Sequence, residues 1–321
     1  MSPLLLALLL AALAAVIILA LVLAMVIILV WMERKVAGDI QSRIGPLRVG
    51  KFGLLQCVAD ALKLLLKEDI IPAAADRWVF IVGPFVVFVP AVLVFVVIPF
   101  SRHLIVRDLN LGVLYVVAIA ALPVIGLIMS GWGSNNKYAR VSALRAAAQA
   151  ISYEVPLALA LAAVVMMVGS LSTVSIVEAQ RQHGWFIYLQ PIAFLLFLTA
   201  GLAEVNRIPF DIPEAESELV AGWHVEYSGM RFAFFFMGEY AHLFFVSCFA
   251  TTLFLGGWSG PLLPPVVWFF GKTFAVIFVL MWIRWTFPRL RVDQMMGFSW
   301  KFLLPLGLLN LLATGFLKLY V

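Results

Sequence analysis

The chain has 321 residues, of which 64% are hydrophobic and 12% are charged, and its net charge is +5. A soluble globular protein is close to half apolar and a quarter charged, so this composition excludes an ordinary water-soluble domain and indicates a lipid environment. The chain has two separate cysteines but no CxxC pair, GxxxxGK[ST] loop or GxGxxG turn, which argues against iron–sulfur clusters, structural zinc, disulfides and nucleotide binding within it.

The apolar runs predict an all-α polytopic membrane protein with about eight spans. Residues 3–32 contain no charged side chain, and a helical span needs only about 20 apolar residues. No basic segment precedes this run, and Glu33, Arg34 and Lys35 follow it, which favours a retained first span over a cleaved signal peptide. We expect a single membrane domain over residues 1–321. Its spans are predicted near residues 3–32, 78–100, 111–132, 155–175, 185–205, 235–256, 262–283 and 302–320.

The basic residues predict the orientation of these spans. With the N-terminus on the outer side, 17 of the 22 lysine and arginine residues fall in the four inner loops. The outer loops keep only Arg102, Arg107 and Arg181. Such an excess of cations is typical of cytoplasmic loops. We therefore expect both termini on the outer side, and function on the inner side, where the loops are long and charged.

The first inner loop contains a segment with helical periodicity near residues 51–69. Leucine and valine would occupy one face, and Gln56, Asp60, Lys63 and Lys67 the other. This pattern predicts an amphipathic helix in the membrane interface, although a helix that packs only against a partner protein would look the same.

Arg43 precedes this helix, next to the turn-forming pair Gly45-Pro46. A cation fixed in such a turn is suited to guide a polar headgroup whose tail lies in lipid. A plain positive anchor at the membrane surface explains the same residues, so spacing alone leaves both interpretations open.

Carboxylates concentrate between the fifth and sixth predicted spans. Glu204 and Glu239 fall inside apolar runs, where an isolated charge costs roughly 2.5–3.5 kcal/mol on insertion scales. Crowded carboxylates that are partly buried have raised pKa values and are suited to proton transfer. A solvated acidic loop is the alternative interpretation. The seven acids of this region are Glu204, Asp211, Glu214, Glu216, Glu218, Glu226 and Glu239.

Two further positions are ambiguous from the sequence. Glu154 stands at the predicted start of the fourth span, where it could be a buried carboxylate or an interfacial one in water. His242 and Cys248 are interpreted as packing residues, because neither has a partner at ligand spacing.

Six segments, read together, resemble one known family. They follow its order and spacing across nearly the whole chain, and their combination is far more specific than any one of them. The family is the quinone-binding membrane subunit of respiratory complex I, which forms the quinone site in bacteria and is shared with mitochondria. The segments are ERKVAGDIQSRIGP (33–46), GLLQCVADALKLLLKED (53–69), GWGSNNKYA (131–139), RAAAQAISYE (145–154), AEVNRIPFDIPEAESELVAGWHVEYSGM (203–230) and PRLRVDQMM (288–296).

The resemblance implies a subunit, without redox cofactors of its own, of a proton-translocating NADH:quinone oxidoreductase in the bacterial inner membrane. Members of the family build most of a tunnel for a lipid quinone, which is the substrate. Flavin mononucleotide and iron–sulfur clusters are then expected on partner subunits. Those partners would be the peripheral-arm subunits at the quinone site and the small and antiporter-like membrane subunits, with no nucleic acid.

The resemblance also implies roles for individual residues. Tunnel positions of the family match Arg34, Arg43 and Arg284, and supporting charges match Asp60 and Arg207. No catalytic residue and no metal ligand is expected, since the headgroup is reduced mostly by another subunit. The family's acidic path toward the proton-pumping arm matches Glu154, Glu204, Glu214, Glu216, Glu218, Glu226 and Glu239.

Three alternative functions stand beside this expectation. The same fold serves in membrane-bound hydrogenase-type complexes, where it couples another redox donor. A stand-alone ion-coupled transporter would also use acidic residues in spans, but transporters usually show an internal repeat and none is visible. A purely structural membrane anchor would tolerate substitution of the acidic residues.

Overall fold

The computed structural model describes residues 3–320, apart from the side chains of Pro3, Glu216, Ser217 and Tyr320. Over that range the chain is helical and contains no strand, which confirms the all-α prediction. The helices are α1 (Pro3–Ile40), α2 (Gln56–Leu66), α3 (Arg77–Leu93), α4 (Gly112–Ala120), α5 (Leu122–Gly133), α6 (Lys137–Val168), α7 (Thr173–His183), α8 (Phe186–Leu189), α9 (Pro191–Glu204), α10 (Glu216–Leu219), α11 (Gly229–Phe254), α12 (Pro265–Thr286), α13 (Val292–Phe298) and α14 (Leu304–Tyr320).

Seven helical segments within the described residues are long and apolar enough to cross a membrane. The shorter apolar helix α9 takes the place of the remaining predicted span, and α8 precedes it. Gln190 separates the two, and Pro191, which has no backbone N–H to leave unpaired, begins α9. The seven segments are Leu4–Ile40, Arg77–Val97, Gly112–Gly133, Lys137–Val168, Gly229–Phe254, Pro265–Thr286 and Val292–Leu319.

Helix α6 begins well before the predicted fourth span. The side chain of Asn136 accepts a hydrogen bond from the backbone N of Tyr138 at 2.8 Å and caps the helix, and Gly169 ends it with a φ of 76°. The polar stretch 137–154 is helical because it is rich in alanine and other strong helix formers. Glu154 therefore lies inside a long helix and not at its start.

The amphipathic helix α2 is shorter than the predicted segment 51–69. A single tight turn over Lys51–Gly53 precedes it, and Gly53 adopts a φ of 77°. A side chain at this glycine would place Cβ 2.3 Å from the carbonyl oxygen of Pro46, so the turn requires glycine. Leu62 and Leu66 are exposed, as expected for a helix that lies on lipid.

Helix α11 lies at the centre of the helical assembly. Of its most apolar 18-residue stretch, 72% is buried, a larger share than in any other spanning helix within the described residues. It packs against α1, α3 and α12. The charged end of α1, the end of α12 and the loop that joins α9 to α11 all meet beside it, and this meeting point carries the candidate site.

Candidate functional site

Arg207 is the centre of a buried charge cluster. It is only 2% exposed, and its Nη1 donates a hydrogen bond to Oε2 of Glu33 at 2.5 Å, while its Nε donates to Oε1 of Glu239 at 2.9 Å. The ring of Tyr240 faces the guanidinium, 4.3 Å from Cζ to the ring centroid. Burial alone would lower the pKa of Arg207, but the carboxylates of Glu33 and Glu239 raise it above its ordinary value, so the group stays charged.

Glu33 connects this cluster to a second cation. Its Oε1 accepts a hydrogen bond from Nη1 of Arg284, so one carboxylate bridges the guanidinium groups of Arg207 and Arg284. Neither spacing nor the family resemblance singles out Glu33. The sequence does give one indication that Glu33 has a partner. It is the first charge after an uncharged run, where a carboxylate without a partner would be costly.

Gln149 of α6 holds the loop that carries Arg207. Its Nε2 donates to the carbonyl oxygens of Ala203 at 2.7 Å and Phe210 at 2.8 Å, and to Oδ1 of Asn206 at 3.1 Å. Three contacts from one buried amide fix the backbone on both sides of the arginine. Gln149 is another residue that the sequence pattern does not single out.

Glu214 borders a polar cavity of about 470 Å³ beside the cluster. Burial raises the pKa of Glu214 well above its ordinary value, and the carboxylates of Glu239 and Asp211 raise it further. Burial also lowers the pKa of His224 to about 4, so its imidazole is neutral at pH 7. The lining residues are Ile208, Asp211, Glu214, Ala221, His224, Arg284 and Arg289.

Two small cavities meet at Glu204. Glu204, Glu214 and Glu239 all line the first, which measures about 60 Å³. Glu204 and Glu154 line the second, which measures about 30 Å³. Volumes of this size can hold about one or two water molecules. The four carboxylates therefore form a row in which each shares a cavity with the next.

His242 stands beside this row. Its ring packs against Phe245 with a centroid separation of 5.5 Å, in line with the packing interpretation. Its Nε2 also lies 3.7 Å from Oε1 of Glu204, and the side chain lines the first cavity. The imidazole of His242 is thus close enough to the carboxylate of Glu204 for an electrostatic interaction.

A separate apolar cavity of about 250 Å³ lies between α1, α2 and α11. At its polar end, Nη1 of Arg34 lies 2.6 Å from Oδ2 of Asp60. Burial would raise the pKa of Asp60, but the hydrogen bond and the charge of Arg34, with smaller contributions from Gln56 and Lys63, together outweigh burial and lower the pKa below its ordinary value. The walls are almost wholly apolar and include Val26, Leu64 and Phe236.

Other predicted residues lie outside the cluster. Arg43 is exposed, and its Nε donates to Oε1 of Gln41 at 2.6 Å. The side chain of Glu216 is outside the part of the chain that the structure describes. The predicted tunnel role of Arg43 and relay role of Glu216 stay predictions.

Two more acids of the same loop have partners of their own. Glu218 is exposed and lies 2.5 Å from Nη1 of Arg145, whose hydrogen bond lowers the pKa of the carboxyl. Glu226 accepts a hydrogen bond from Nδ2 of Asn136 at 2.7 Å. Both pairs join the acidic loop to α6 or its cap, so these acids fasten the loop to that helix.

The fold and these sites define a class of protein. It is a helical membrane protein that encloses ionisable side chains beside an apolar cavity, as proteins that handle ions or lipid-soluble substrates do. No group of three or more His, Cys, Asp or Glu among the described residues could hold a metal ion.

Comparison with known proteins identifies the family. The family described as NADH dehydrogenase matches residues 13–315. The H-type subunit of NADH-quinone oxidoreductase from Dehalococcoides mccartyi (strain CBDB1) is 55% identical over 289 residues, which cover 90% of this chain and 81% of that protein. The Geobacillus kaustophilus protein of the same name is 54% identical over 291 residues, or 89% and 87% of the two chains. A second H-type protein, from Geobacter sulfurreducens, is 53% identical over 302 residues, or 91% and 92%. The chain belongs to the NADH dehydrogenase family.

Proposed function

We propose that this chain is the quinone-site membrane subunit of a proton-translocating NADH:quinone oxidoreductase. The relatives are named as the H-type subunit of NADH-quinone oxidoreductase and cover most of the chain. The observation that carries the mechanism is the arrangement of an apolar cavity with a charged end and a partly buried row of carboxylates. A protein that couples a redox reaction in lipid to proton movement needs both parts.

The apolar cavity is suited to the tail of a lipid quinone. It lies between α1, α11 and α2, of which α1 and α11 are long enough to cross the membrane. With α2 in the interface, as its amphipathic pattern predicts, a substrate would enter the cavity from lipid. The Arg34–Asp60 pair at its polar end would orient the more polar part of the molecule. Arg284, in the polar cavity beyond, would face the headgroup end of the same tunnel.

The row of carboxylates is suited to couple reduction to proton movement. Reduction of the quinone adds negative charge or takes up protons near Arg284 and Glu214. Interacting carboxylates titrate as a group, so a change at Glu214 alters the protonation of Glu204 through the cavity that they share. From Glu204 the second cavity leads to Glu154.

The expected partners and location follow from this proposal. The redox cofactors, flavin mononucleotide and iron–sulfur clusters, would lie on peripheral-arm subunits that dock on the loops beside Arg207. Small and antiporter-like membrane subunits would accept the coupling signal. The complex would reside in the bacterial inner membrane, with the loops that carry the cluster on the cytoplasmic side. The names of the relatives favour this assembly over a hydrogenase-type complex or a transporter that acts alone.

A bulky substitution inside the apolar cavity tests the proposal. Ala61 of α2 lines the cavity, and Ala61→Trp would fill part of it. In the assembled complex we expect turnover with a long-tailed quinone to fall severalfold. NADH oxidation with a soluble artificial acceptor should be unchanged, because that reaction does not need the cavity.

Ala59→Trp is the matched control. Ala59 lies two residues away on the same helix, is exposed, and points in a different direction from Ala61. We expect it to leave quinone turnover near the wild-type rate. Equal quinone turnover in Ala61→Trp, Ala59→Trp and the wild type would contradict the assignment of the cavity.

A further inference from the structure

Lys272 is a buried cation that the proposed reaction does not use. It is 8% exposed, and its Nζ donates hydrogen bonds to the carbonyl oxygens of Leu255 at 2.7 Å, Gly257 at 3.1 Å and Ser259 at 2.6 Å. Within the described part of the chain no carboxylate forms an ion pair with it. A buried lysine without an acid must be stabilised by something else.

The three carbonyl acceptors fit the charged form of the amine. An ammonium group has three N–H donors, whereas a neutral amine has two and would turn its lone pair toward one of the carbonyl oxygens. Two indole rings add to the effect, because Nζ lies 4.6 Å from the ring centroid of Trp185 and 5.8 Å from that of Trp268. Carbonyl dipoles and indole faces together are the surroundings that cations prefer in proteins.

The backbone around the ammonium is shaped for this contact. Gly256 and Gly257 adopt φ values of 73° and 50°, which let the chain turn so that alternate carbonyls point into one space. The N–H of Gly256 is held by Oε1 of Gln180 at 2.8 Å. A Cβ at Gly256 would lie 2.8 Å from Cδ1 of Trp185, so the loop and the indole fit closely. The loop is thus fixed by contacts that do not involve the lysine.

We propose that the loop 255–259 and the two indoles form a binding site for a primary ammonium ion, which Lys272 occupies as a tethered ligand. The site lies about 24 Å along α11 from Glu239 and about 18 Å along α12 from Arg284, at 1.5 Å per residue. The charge cluster holds one end of this helix pair. The tethered ammonium holds the other end, beside the loop that joins α11 to α12.

Chemical rescue in the assembled complex tests the proposal. Lys272→Ala removes three side-chain carbons and the ammonium group, which together match n-propylammonium. The three carbonyl oxygens are then left without a donor. We expect a downward shift of the unfolding midpoint in Lys272→Ala, and its recovery by n-propylammonium in a saturable, concentration-dependent way. Tetramethylammonium, which has the charge but no N–H, should not restore it at equal ionic strength.

Two further variants keep the test decisive. Lys272→Met retains the apolar stem without the charge, and we expect it to be destabilised and not rescued; wild-type stability in Lys272→Met would overturn the proposal. Lys318 is an exposed lysine that donates to one carbonyl oxygen, that of Met166 at 2.6 Å, so Lys318→Ala should show no response to the amine. If Lys272→Ala does not assemble, n-propylammonium supplied during assembly should restore its yield but not that of Lys272→Met. Equal effects of the amine on all variants would also overturn it.

Discussion

Arg207 and Glu33 form a buried ion pair across 174 residues of sequence, with Nη1 and Oε2 separated by 2.5 Å. The side chains are 1% and 6% exposed. This pair fastens the loop after α9 to the charged end of α1. Since Glu33 also accepts from Arg284, the carboxylate joins three separate parts of the chain at one point.

Loss of the Glu33 charge should destabilise the protein strongly. Glu33→Gln leaves the guanidinium of Arg284 without its carboxylate and weakens the hold on Arg207. Breaking a buried ion pair by removal of one partner typically costs about 3–5 kcal/mol. We expect a lower unfolding midpoint and a lower yield of assembled complex in detergent.

Glu178→Gln serves as the control for this change. Glu178 is 44% exposed and lies 3.7 Å from Arg102 in a pair that faces solvent. Exposed pairs contribute about 0–1 kcal/mol, so the midpoint should hardly move. Similar midpoints for the two variants would contradict the structural role of Glu33.

The raised pKa of Glu214 predicts a specific dependence of stability on pH. A carboxyl whose pKa is higher in the folded protein than in the unfolded chain binds more protons when folded, so stability falls as pH rises above its ordinary value of 4.5. Glu214→Gln removes this contribution. Unfolding midpoints measured between about pH 5 and 8 should therefore fall less steeply in the variant than in the wild type.

Glu218→Gln should change the dependence of stability on pH in the opposite direction. The hydrogen bond from Arg145 lowers the pKa of Glu218, so its contribution is present above the ordinary value and is lost as pH falls. Because Glu218 is exposed, the effect should be small and confined to acidic pH.

The outcome that would contradict the raised pKa of Glu214 is an equal dependence on pH. If the unfolding midpoints of the wild type and of Glu214→Gln change with pH by the same amount, Glu214 does not hold extra protons in the folded protein.

Close packing of α3 against α5 predicts a steric effect at Gly126. A Cβ at this position would lie 2.6 Å from Cγ2 of Val87 and 2.9 Å from the carbonyl oxygen of Gly83. Gly126→Val should destabilise the protein by about 1–3 kcal/mol through overpacking. Gly271→Ala on α12, where nothing lies within 4 Å of the new Cβ, should raise stability by up to about 1 kcal/mol. The free energy of unfolding of each variant is measured in the same detergent. A Gly126→Val protein as stable as the wild type would contradict the close contact between α3 and α5.

The sequence predicts the helices well because apolar runs are a local property. It places Glu204 and Glu239 inside such runs, and the structure brings both to the partly buried row of carboxylates. Hydropathy indicates a span near residues 155–175 but does not indicate that α6 begins at Lys137, since the stretch before Glu154 is helical by alanine content and not by apolar character. The predicted orientation of the termini stays a prediction.

Partners that are distant in sequence could not be predicted from local patterns. Nothing near Glu33 indicates that its cations are Arg207 and Arg284, because the contacts depend on how three helix ends meet. Gln149 likewise looks like any polar residue of a helix until its three acceptors are seen. Burial of a single charge is the one local signal, and it predicts that a partner exists without naming it.

The most direct test of coupling is the effect of Glu204→Gln on proton translocation, because Glu204 is the carboxylate that lines both small cavities. Two quantities are measured for the assembled complex in sealed vesicles: the number of protons moved per quinone reduced, and the rate of quinone turnover. Glu178→Gln serves as the control. We predict that Glu204→Gln lowers proton translocation and quinone turnover severalfold, while NADH oxidation with a soluble acceptor is unchanged. Wild-type proton translocation and turnover in Glu204→Gln would contradict the proposed relay.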